Sequence, residues 1–345
     1  MIIIKKLINI KSKINHIYHL SDIHIRRYEK HNEYEYIFEK LYEYFKKVRN
    51  ENSIIVITGD LLHNKDNLTP DCIMKTWNFL NELQKIMPLF LITGNHDFVE
   101  TNNHIKDSIE AILNDKNIDN KNIYYLRNSG AYRYGNICFG VSSLIDKQFT
   151  YAKDIISDAE YKIGLYHGGV GKTETSVGFK LNGDKLVSDF DGYDYVLLGD
   201  IHNYQYMSKE NPISAYPGSL ISQNFGESDP NHGMLVWNLN DKKQIFYPIE
   251  NPYRYQDVFI LSRDVLQSDL KNYSVENIIL PPKGNVRIYG MENDLESRMI
   301  LQSLQKLWND ISFTYKEKKF IENSNIEKNK SSVIELNENK LIEEY

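Results

Sequence analysis

The chain has 345 residues, of which 41% are hydrophobic and 26% are charged, and its formal net charge is −6. The composition excludes a disordered chain, and the length allows one large domain plus a smaller one, because single cores stop growing at about 250–300 residues. The negative net charge argues against a surface that binds nucleic acid by bulk electrostatics alone.

The start of the chain has no feature of an exported protein. Lys5 and Lys6 interrupt the first apolar run, which lacks the length of a membrane span and a small-residue cleavage site. The two cysteines, Cys72 and Cys138, lie far apart in apolar stretches, which argues against a secreted disulfide framework. We expect an intracellular protein, cytoplasmic or nuclear, that is not secreted and does not bind a membrane.

Short apolar runs rich in β-branched residues recur along the chain, and polar residues follow each run. We predict buried strands at His16–Leu20, Ile54–Thr58, Leu89–Thr93, Ile137–Val141, Ile163–Tyr166 and Tyr195–Leu198. Helical patterns occupy Glu33–Arg49 and Asp71–Ile86. The tyrosines within Tyr28–Phe45 follow a helical pattern, which favours packing over base stacking. From Ala215 the pattern becomes hairpin-like, so the whole predicts an α/β layer fold with a strand-rich end.

Composition and pattern divide the chain into four parts. They are an N-terminal extension (1–14), a main domain (15–252), a small cap (253–321) and a mobile tail rich in Asn, Lys, Glu and Ser (322–345). The cap has a β-α-β pattern, with a strand at Asn285–Tyr289, a helix at Leu295–Trp308 and a strand at Ile311–Lys316.

Side chains that can bind metals follow five of the predicted strands. They occur in Asp22-Ile-His24, Gly59-Asp60-Leu-Leu-His63, Gly94-Asn95-His96-Asp97, His167-Gly168 and Gly199-Asp200-Ile-His202. The carboxyl ends of strands in an open α/β sheet converge on one crevice, so five separate loops can build one site. Asp, Asn and His offer the mixed oxygen and nitrogen ligands that suit manganese, iron or zinc. The absence of cysteine from the motifs argues against a structural zinc cluster.

The number of candidate ligands predicts two metal ions, because seven ligands exceed what one tetrahedral site needs. With the ions about 3.5–4 Å apart, Asp60 could bridge both. The first ion would be completed by Asp22, His24 and His202, and the second by Asn95, His167 and Asp200. Such a pair activates a water and holds phosphate oxygens, which predicts hydrolysis of a phosphate ester without a protein nucleophile.

Three further residues lie close to these ligands in sequence. His96 follows a ligand and can point toward the phosphoryl group, so we assign it as transition-state stabiliser or general acid. Asp97 is its expected orienting partner. His63, on the loop of Asp60, is a second candidate for contact with the scissile phosphate.

The ordered set of motifs resembles the calcineurin-like metallophosphoesterase superfamily, whose fold is a layered β-sandwich flanked by helices. More narrowly it is similar to the SbcD branch of meiotic recombination eleven-like DNA nucleases, in the compact form of phages and large viruses. The narrower likeness rests on the motif of Asp60 followed by Asn67-Leu-Thr-Pro70, and on Tyr216-Pro-Gly-Ser219 followed by Asn224-Phe-Gly-Glu227. It covers residues 15–250 well, and the cap more loosely.

The resemblance implies a manganese-dependent DNA exonuclease and endonuclease that processes double-strand breaks in DNA repair and recombination. It also implies that an SbcC-like coiled-coil ATPase is the partner of this chain and that the chain often forms a homodimer. His63 and His96 would have catalytic roles without binding a metal. The family usually has His where this chain has Asp200, so we expect an altered metal preference. The sequence after the cap is short where the family places its ATPase-binding helices.

The residues leave two other functions open. The same metal cage could hydrolyse a small phosphomonoester or a cyclic nucleotide, which the acidic overall charge favours. A shallow cleft flanked by the cap and basic residues would indicate DNA, whereas an enclosed pocket would indicate a small molecule. The chain could also be a non-catalytic scaffold that binds partners, in which case it would bind metal tightly without turnover.

Overall fold

The computed structural model describes most of the chain up to residue 317. The described ranges are 4–8, 13–65, 67–99, 107–114, 119–175, 178, 180–209, 213–228, 231–259, 268–269, 274–275, 278–291 and 295–317. The tail predicted at 322–345 lies outside these ranges. Within them, no helix combines the length and the apolar character needed to cross a membrane.

The helices and strands alternate along the first part of the chain and give way to hairpins. In chain order the strands up to residue 248 are β1 (Ile4–Ile8), β2 (His16–Leu20), β3 (Ser53–Thr58), β4 (Leu89–Ile92), β5 (Ile123–Tyr125), β6 (Gly130–Tyr134), β7 (Ile137–Ser142), β8 (Tyr161–His167), β9 (Lys172–Glu174), β10 (Lys180–Asn182), β11 (Tyr195–Gly199), β12 (Gln205–Ser208), β13 (Ile213–Tyr216), β14 (Gly233–Asn238) and β15 (Lys243–Pro248). The helices of this part are α1 (His31–Val48), α2 (Pro70–Ile86) and α3 (Ser108–Leu113).

Two mixed sheets form the body of this part. One has the strand order β15-β14-β2-β3-β4-β5 and the other β1-β6-β7-β8-β11-β13-β12, while β9 and β10 pair separately. Strands β2, β3 and β4 run parallel and are buried along nearly their whole length, which accounts for their continuous apolar sequences. The α/β architecture agrees with the sheet-and-helix order predicted from the sequence.

A shared hydrophobic core joins the inner faces of the two sheets. Phe90 and Trp237 come from the first sheet, and Phe139, Ile163 and Tyr195 come from the second. All five side chains are at most 1% exposed, so the two sheets form a sandwich. This packing holds the carboxyl ends of β2, β3, β4, β8 and β11, which carry the predicted motifs, in fixed relation to one another.

Amphipathic helices cover the outer face of the first sheet. In α1, Tyr34, Ile37, Leu41 and Phe45 recur every three or four residues and are buried in one core with α2. Helix α2 begins where the sequence predicts, because the hydroxyl of Thr69 accepts a hydrogen bond from an amide of its first turn. The tyrosines of α1 at positions 34 and 42 therefore serve packing, as expected.

The N-terminal segment contributes a strand that the sequence patterns did not reveal. Ile4–Ile8 forms β1, which pairs in parallel with Gly130–Tyr134 at the edge of the second sheet. The partners are more than a hundred residues apart, so no local pattern announces the pairing. Part of the predicted extension 1–14 thus belongs to a sheet.

The chain divides into two compact units, Met1–Gln256 with Pro281–Asn285, and Asp257–Leu280 with Val286–Tyr345. The remaining elements are β16 (Tyr255–Phe259), β17 (Ser268–Asp269), β18 (Ser274–Val275), β19 (Ile278–Ile279), β20 (Asn285–Met291), α4 (Leu295–Leu307) and β21 (Ser312–Glu317). Strands β16, β20 and β21 form a sheet, and Leu304 and Trp308 pack in the core of this second unit. A strand, a helix and a strand thus occur where the β-α-β pattern predicts them. The domain limits inferred from the sequence stay predictions.

Candidate metal centre

The five motifs meet at one edge of the sandwich. The loops that follow β2 and β3 run side by side, with the amide of His24 donating to the carbonyl of Asp60 at 3.0 Å. The loops of the two sheets are joined at Thr58, whose hydroxyl donates to the carbonyl of Leu198 at 3.1 Å and whose carbonyl accepts from Nδ1 of His167 at 2.7 Å. The predicted convergence of strand ends is therefore a feature of the fold.

Four of the candidate ligands have an unusual backbone conformation. The φ angles of Asp22, His24 and Asp60 are 51°, 51° and 50°, and that of Asp200 is 93°. L-residues rarely adopt positive φ, which costs on the order of 1–3 kcal/mol each and persists where the surroundings over-determine the conformation. Strain at so many candidate ligands marks this edge as a functional site.

Glycines allow the ligand loops to approach one another. A Cβ atom on Gly94 would lie 2.1 Å from Oδ1 of Asp60, and one on Gly199 would lie 2.1 Å from the carbonyl oxygen of Thr58. Gly59 has a φ of 93°, and its Cβ would lie 2.5 Å from Nδ1 of His167. Packing thus requires the glycine that directly precedes each of three candidate ligands, Asp60, Asn95 and Asp200.

A first group of ligand atoms surrounds one point. Nε2 of His24 lies 3.0 Å from Nε2 of His202. Oδ1 of Asp22 lies 3.9 Å from the first nitrogen and 3.8 Å from the second. These three side chains form one of the clusters whose geometry could hold a metal ion.

A second group lies around the ring of His167. Its Nε2 is 3.0 Å from Oδ1 of Asn95, 3.4 Å from Oδ1 of Asp60 and 3.8 Å from Oδ1 of Asp200. Asp22, Asp60 and His167 form another cluster suited to a metal ion. Both predicted ligand groups are therefore brought together by the fold.

Asp60 lies between the two groups. Its Oδ2 is 3.5 Å from Nε2 of His24, while its Oδ1 is 3.4 Å from Nε2 of His167. The carboxylate is buried, and its Oδ1 also accepts the amide hydrogen of His96 at 2.8 Å. This arrangement suits the bridging role predicted for Asp60.

Hydrogen bonding at His167 tests whether cations fit these groups. The Thr58 carbonyl can only accept, so Nδ1 of His167 carries a hydrogen, and in the neutral ring Nε2 would present a lone pair to Asn95 and Asp60. Acceptors that face one another at this range repel unless a positive charge lies between them. Burial alone would lower the pKa of His167, but Asp60 raises it well above its ordinary value. The site attracts positive charge.

The hydrogen bonding of His202 also leaves its Nε2 available to a cation. Nδ1 of its ring donates to Oε1 of Glu227 at 2.7 Å, which leaves Nε2 directed at His24. The clusters of buried His and Asp fit a binuclear metal site, and their oxygen and imidazole donors are shared by manganese, iron and zinc. Burial raises the pKa of Asp22 to about 6, so a bound cation would favour its charged form.

Glu227 is a site residue that the ligand analysis missed. It is 4% exposed, and besides His202 it accepts hydrogen bonds from the Ser219 hydroxyl and the Gln223 amide, both at 3.0 Å to Oε2. Burial would raise its pKa, but His202 lowers it to about 2. The residue follows no predicted strand, and the only signal for it was its place in the motif Asn224-Phe-Gly-Glu227 that carried the resemblance.

His96 and His63 lie at the solvent side of the ligand groups. Both are half-buried, their rings stack with centroids 5.6 Å apart, and each lies against the ring of His24. Nδ1 of His96 donates to the carbonyl of His63 at 2.8 Å, which leaves its Nε2 free for a ligand. Burial lowers the pKa of His63 to about 4, and the guanidinium of Arg26 contributes to this lowering.

The expected contact between Asp97 and His96 is corrected by the structure. Oδ1 of Asp97 accepts from the amide of Leu62 at 3.0 Å, and Oδ2 accepts from the amide of Gly94 at 2.9 Å. The buried carboxylate is therefore committed to two backbone groups, and the ring of His96 is oriented by His63 instead. Asp97 ties the loop of Asp60 to the loop of Asn95.

Comparisons with known proteins found a matching family and similar viral and bacterial proteins. The family model "Calcineurin-like phosphoesterase" matches residues 16–237. The chain is 37% identical over 306 residues to "Uncharacterized protein R555" of Acanthamoeba polyphaga mimivirus, an alignment that covers 86% of this chain and 22% of that protein. It is 27% identical over 269 residues to "Putative phosphoesterase 244L" of Invertebrate iridescent virus 6, an alignment that covers 74% of this chain and 87% of that protein. It is 26% identical over 273 residues to the SbcD component of the SbcCD nuclease of Staphylococcus saprophyticus, and this alignment covers 71% of this chain and 70% of that protein.

Proposed function

We propose, from the premise that this chain belongs to the calcineurin-like phosphoesterase family, that it is an SbcD-like DNA nuclease acting in DNA repair or recombination. That it is a metal-dependent phosphoesterase follows from the family and from the buried His and Asp clusters. The choice of DNA as substrate, and of exonuclease and endonuclease activity, is our proposal.

The bridging position of Asp60 carries the proposed mechanism. Its two carboxylate oxygens face histidines of two different ligand groups, so one side chain can serve two ions. When bound, the two ions supply the charge that activates a water and holds the phosphate oxygens in an in-line displacement. Manganese is our first choice of ion, with iron or zinc as alternatives that use the same donors.

The protein's own groups position the phosphate and assist the leaving group. His96 is half-buried beside the ligand groups, and its Nδ1 is fixed by the carbonyl of His63. Because Nδ1 carries the hydrogen of that bond, Nε2 of the neutral ring presents a lone pair, and in the protonated ring Nε2 can donate to a phosphoryl oxygen or to the departing oxygen. His63 stacks on His96 and contributes a second ring to the same side of the site.

Two observations support DNA as the substrate. The SbcD component of the Staphylococcus saprophyticus nuclease aligns with 71% of this chain. The motifs around Asp60 and Glu227 resemble the same branch. An SbcC-like coiled-coil ATPase partner and a homodimer belong to this proposal as well.

The net charge of −6 favours the second candidate, hydrolysis of a small phosphomonoester or cyclic nucleotide. The complete ligand set argues against a non-catalytic scaffold.

The test is manganese-dependent hydrolysis of linear duplex DNA, single-stranded DNA and a small phosphodiester by the wild type, Asp60→Ala and His96→Ala. We expect the wild type to cleave DNA and both variants to lose this activity. His16→Ala is the matched control, because this half-buried histidine contacts Asn15 and, among the described residues, no candidate ligand. Turnover of the small diester alone would leave the metal mechanism standing and refute the DNA assignment.

A further inference from the structure

The first unit contains a cavity of about 330 Å³, which is lined in part by the residues that follow the candidate ligand His24 in sequence. Its lining includes Tyr28, Lys30, Tyr253, Tyr255 and Lys283. The volume lies at the lower end of the range of about 300–1,000 Å³ for small-ligand sites. It is far too small for a double helix, so a nucleic acid could enter it only as an unpaired unit.

Aromatic rings and ammonium groups lie together in the lining of the cavity. The ammonium group of Lys30 lies 4.6 Å from the ring centroid of Tyr255, and that of Lys283 lies 5.4 Å from the ring centroid of Tyr253. Tyr28 is 67% exposed, in contrast to the buried tyrosines of α1. Rings that accept a stacked base next to cations that accept a phosphate are the elements of sites for single-stranded nucleic acid.

The two lysines differ in the charge they have to offer. Lys30 is largely buried and lies 3.4 Å from the carboxylate of Glu33, so its charge is balanced within the protein. Lys283 is exposed, and its ammonium group lies 3.4 Å from the hydroxyl of Tyr253. Among the residues that the structure describes, no acidic side chain forms an ion pair with Lys283. This lysine can therefore neutralise an incoming phosphate.

The cavity is connected to the metal centre through one loop. The ammonium group of Lys30 donates to the carbonyl of Ser222 at 2.5 Å, and Nε of Arg26 donates to Oε1 of Gln223 at 3.3 Å. The amide of Gln223 in turn donates to Glu227, the carboxylate that orients the metal-site histidine. Arg26 follows the ligand His24 by two residues and precedes the cavity residues, so the chain runs directly from one site to the other.

We propose that this cavity binds one unpaired nucleotide of a DNA strand whose scissile phosphate lies at the metal centre. The base stacks on the tyrosine rings, and the phosphate contacts Lys283. The inference rests on the proposed function and adds to it a preference for single-stranded DNA or frayed ends over continuous duplex.

The test measures KM and kcat of the manganese-loaded enzyme on a single-stranded oligonucleotide and on bis(p-nitrophenyl) phosphate. For Lys283→Glu and Tyr253→Ala we expect the oligonucleotide KM to rise about tenfold, because one stacked base or phosphate contact is worth roughly this factor. The kcat and the kinetics on the small diester should not change. Fluorescence anisotropy of the labelled oligonucleotide in EDTA, where no cleavage follows, should show the same loss of affinity.

Lys153→Glu is the matched control, because Lys153 lies 5.0 Å from the ring centroid of Tyr151 and is exposed outside this cavity. An unchanged KM in Lys283→Glu and Tyr253→Ala, or an equal rise in Lys153→Glu, would overturn the cavity assignment while DNA cleavage by the wild type still supported the nuclease. A wild type that hydrolyses only the small diester would overturn both. Circular dichroism of each variant separates these results from misfolding.

Discussion

Replacement of Glu227 by glutamine should weaken metal binding without touching any candidate ligand. The Glu227 carboxylate accepts from Nδ1 of His202 at 2.7 Å and so keeps the hydrogen on that nitrogen. In Glu227→Gln the Ser219 hydroxyl and the Gln223 amide can still donate to the amide oxygen, which leaves the NH₂ group facing His202. Two donors would then meet, and the ring would move its hydrogen to Nε2 to restore the bond.

That change of tautomer removes the lone pair that Nε2 directs at the ion. Loss of such an orienting partner costs about 10–100-fold in metal affinity or activity, or about 1.4–2.7 kcal/mol. We expect isothermal titration with manganese to show a loss of this size for the ion predicted to be held by Asp22, His24 and His202, with the other ion less affected.

A buried carboxylate elsewhere provides the control. Asp107 is 2% exposed and accepts from Arg127 at 2.6 Å, and within the described part of the chain no candidate ligand contacts it. Asp107→Asn therefore removes a comparable buried charge and should leave manganese affinity unchanged. Wild-type affinity in Glu227→Gln would refute the tautomer argument, and an equal loss in Asp107→Asn would trace the effect to general destabilisation.

The same geometry supports three further predictions. Gly94→Ala should lower the free energy of unfolding by about 1–3 kcal/mol and weaken manganese binding, because its Cβ would lie 2.1 Å from Asp60. Gly164→Ala, with a nearest contact of 3.3 Å, should cost less in the same urea denaturation. Asp200→His should shift metal preference toward zinc, because imidazole is the softer ligand, and competition between manganese and zinc that matches the wild type would contradict this. Thr69→Ala should cost about 1 kcal/mol of stability in urea denaturation, since it removes the N-terminal cap of α2, and should leave metal affinity unaltered.

The convergence of the ligands could be predicted from the sequence for a simple physical reason. Each motif follows an apolar run, and parallel buried strands bring their carboxyl ends to one edge. The strand His16–Leu20 has the predicted limits, and the helix predicted at Asp71–Ile86 ends as predicted but begins at Pro70, because apolar periodicity and a capping threonine define these elements locally. Side chains whose positions depend on strand ends were therefore accessible to pattern analysis.

Features that depend on contacts between residues far apart in the sequence could not be predicted from local sequence patterns. The pairing of Ile4–Ile8 with Gly130–Tyr134 depends on the tertiary fold. The partner of Asp97 was assigned wrongly because sequence adjacency to His96 says nothing about which backbone amides lie within reach of a carboxylate. Glu227 was not predicted as a site residue because it acts through His202 and does not follow a predicted strand.

The gradient of burial across the ligand set has a consequence for how this centre can change over evolution or by design. Asp22, Asp60 and His167 are at most 2% exposed, whereas Asn95 and Asp200 are half-buried. Substitution in the interior disturbs neighbours on every side, but a side chain at the margin can change while the loops keep their paths. The buried ligands should therefore tolerate substitution poorly, whereas the half-buried ligands should tolerate it better. New metal selectivities should be sought first in libraries randomised at positions 95 and 200.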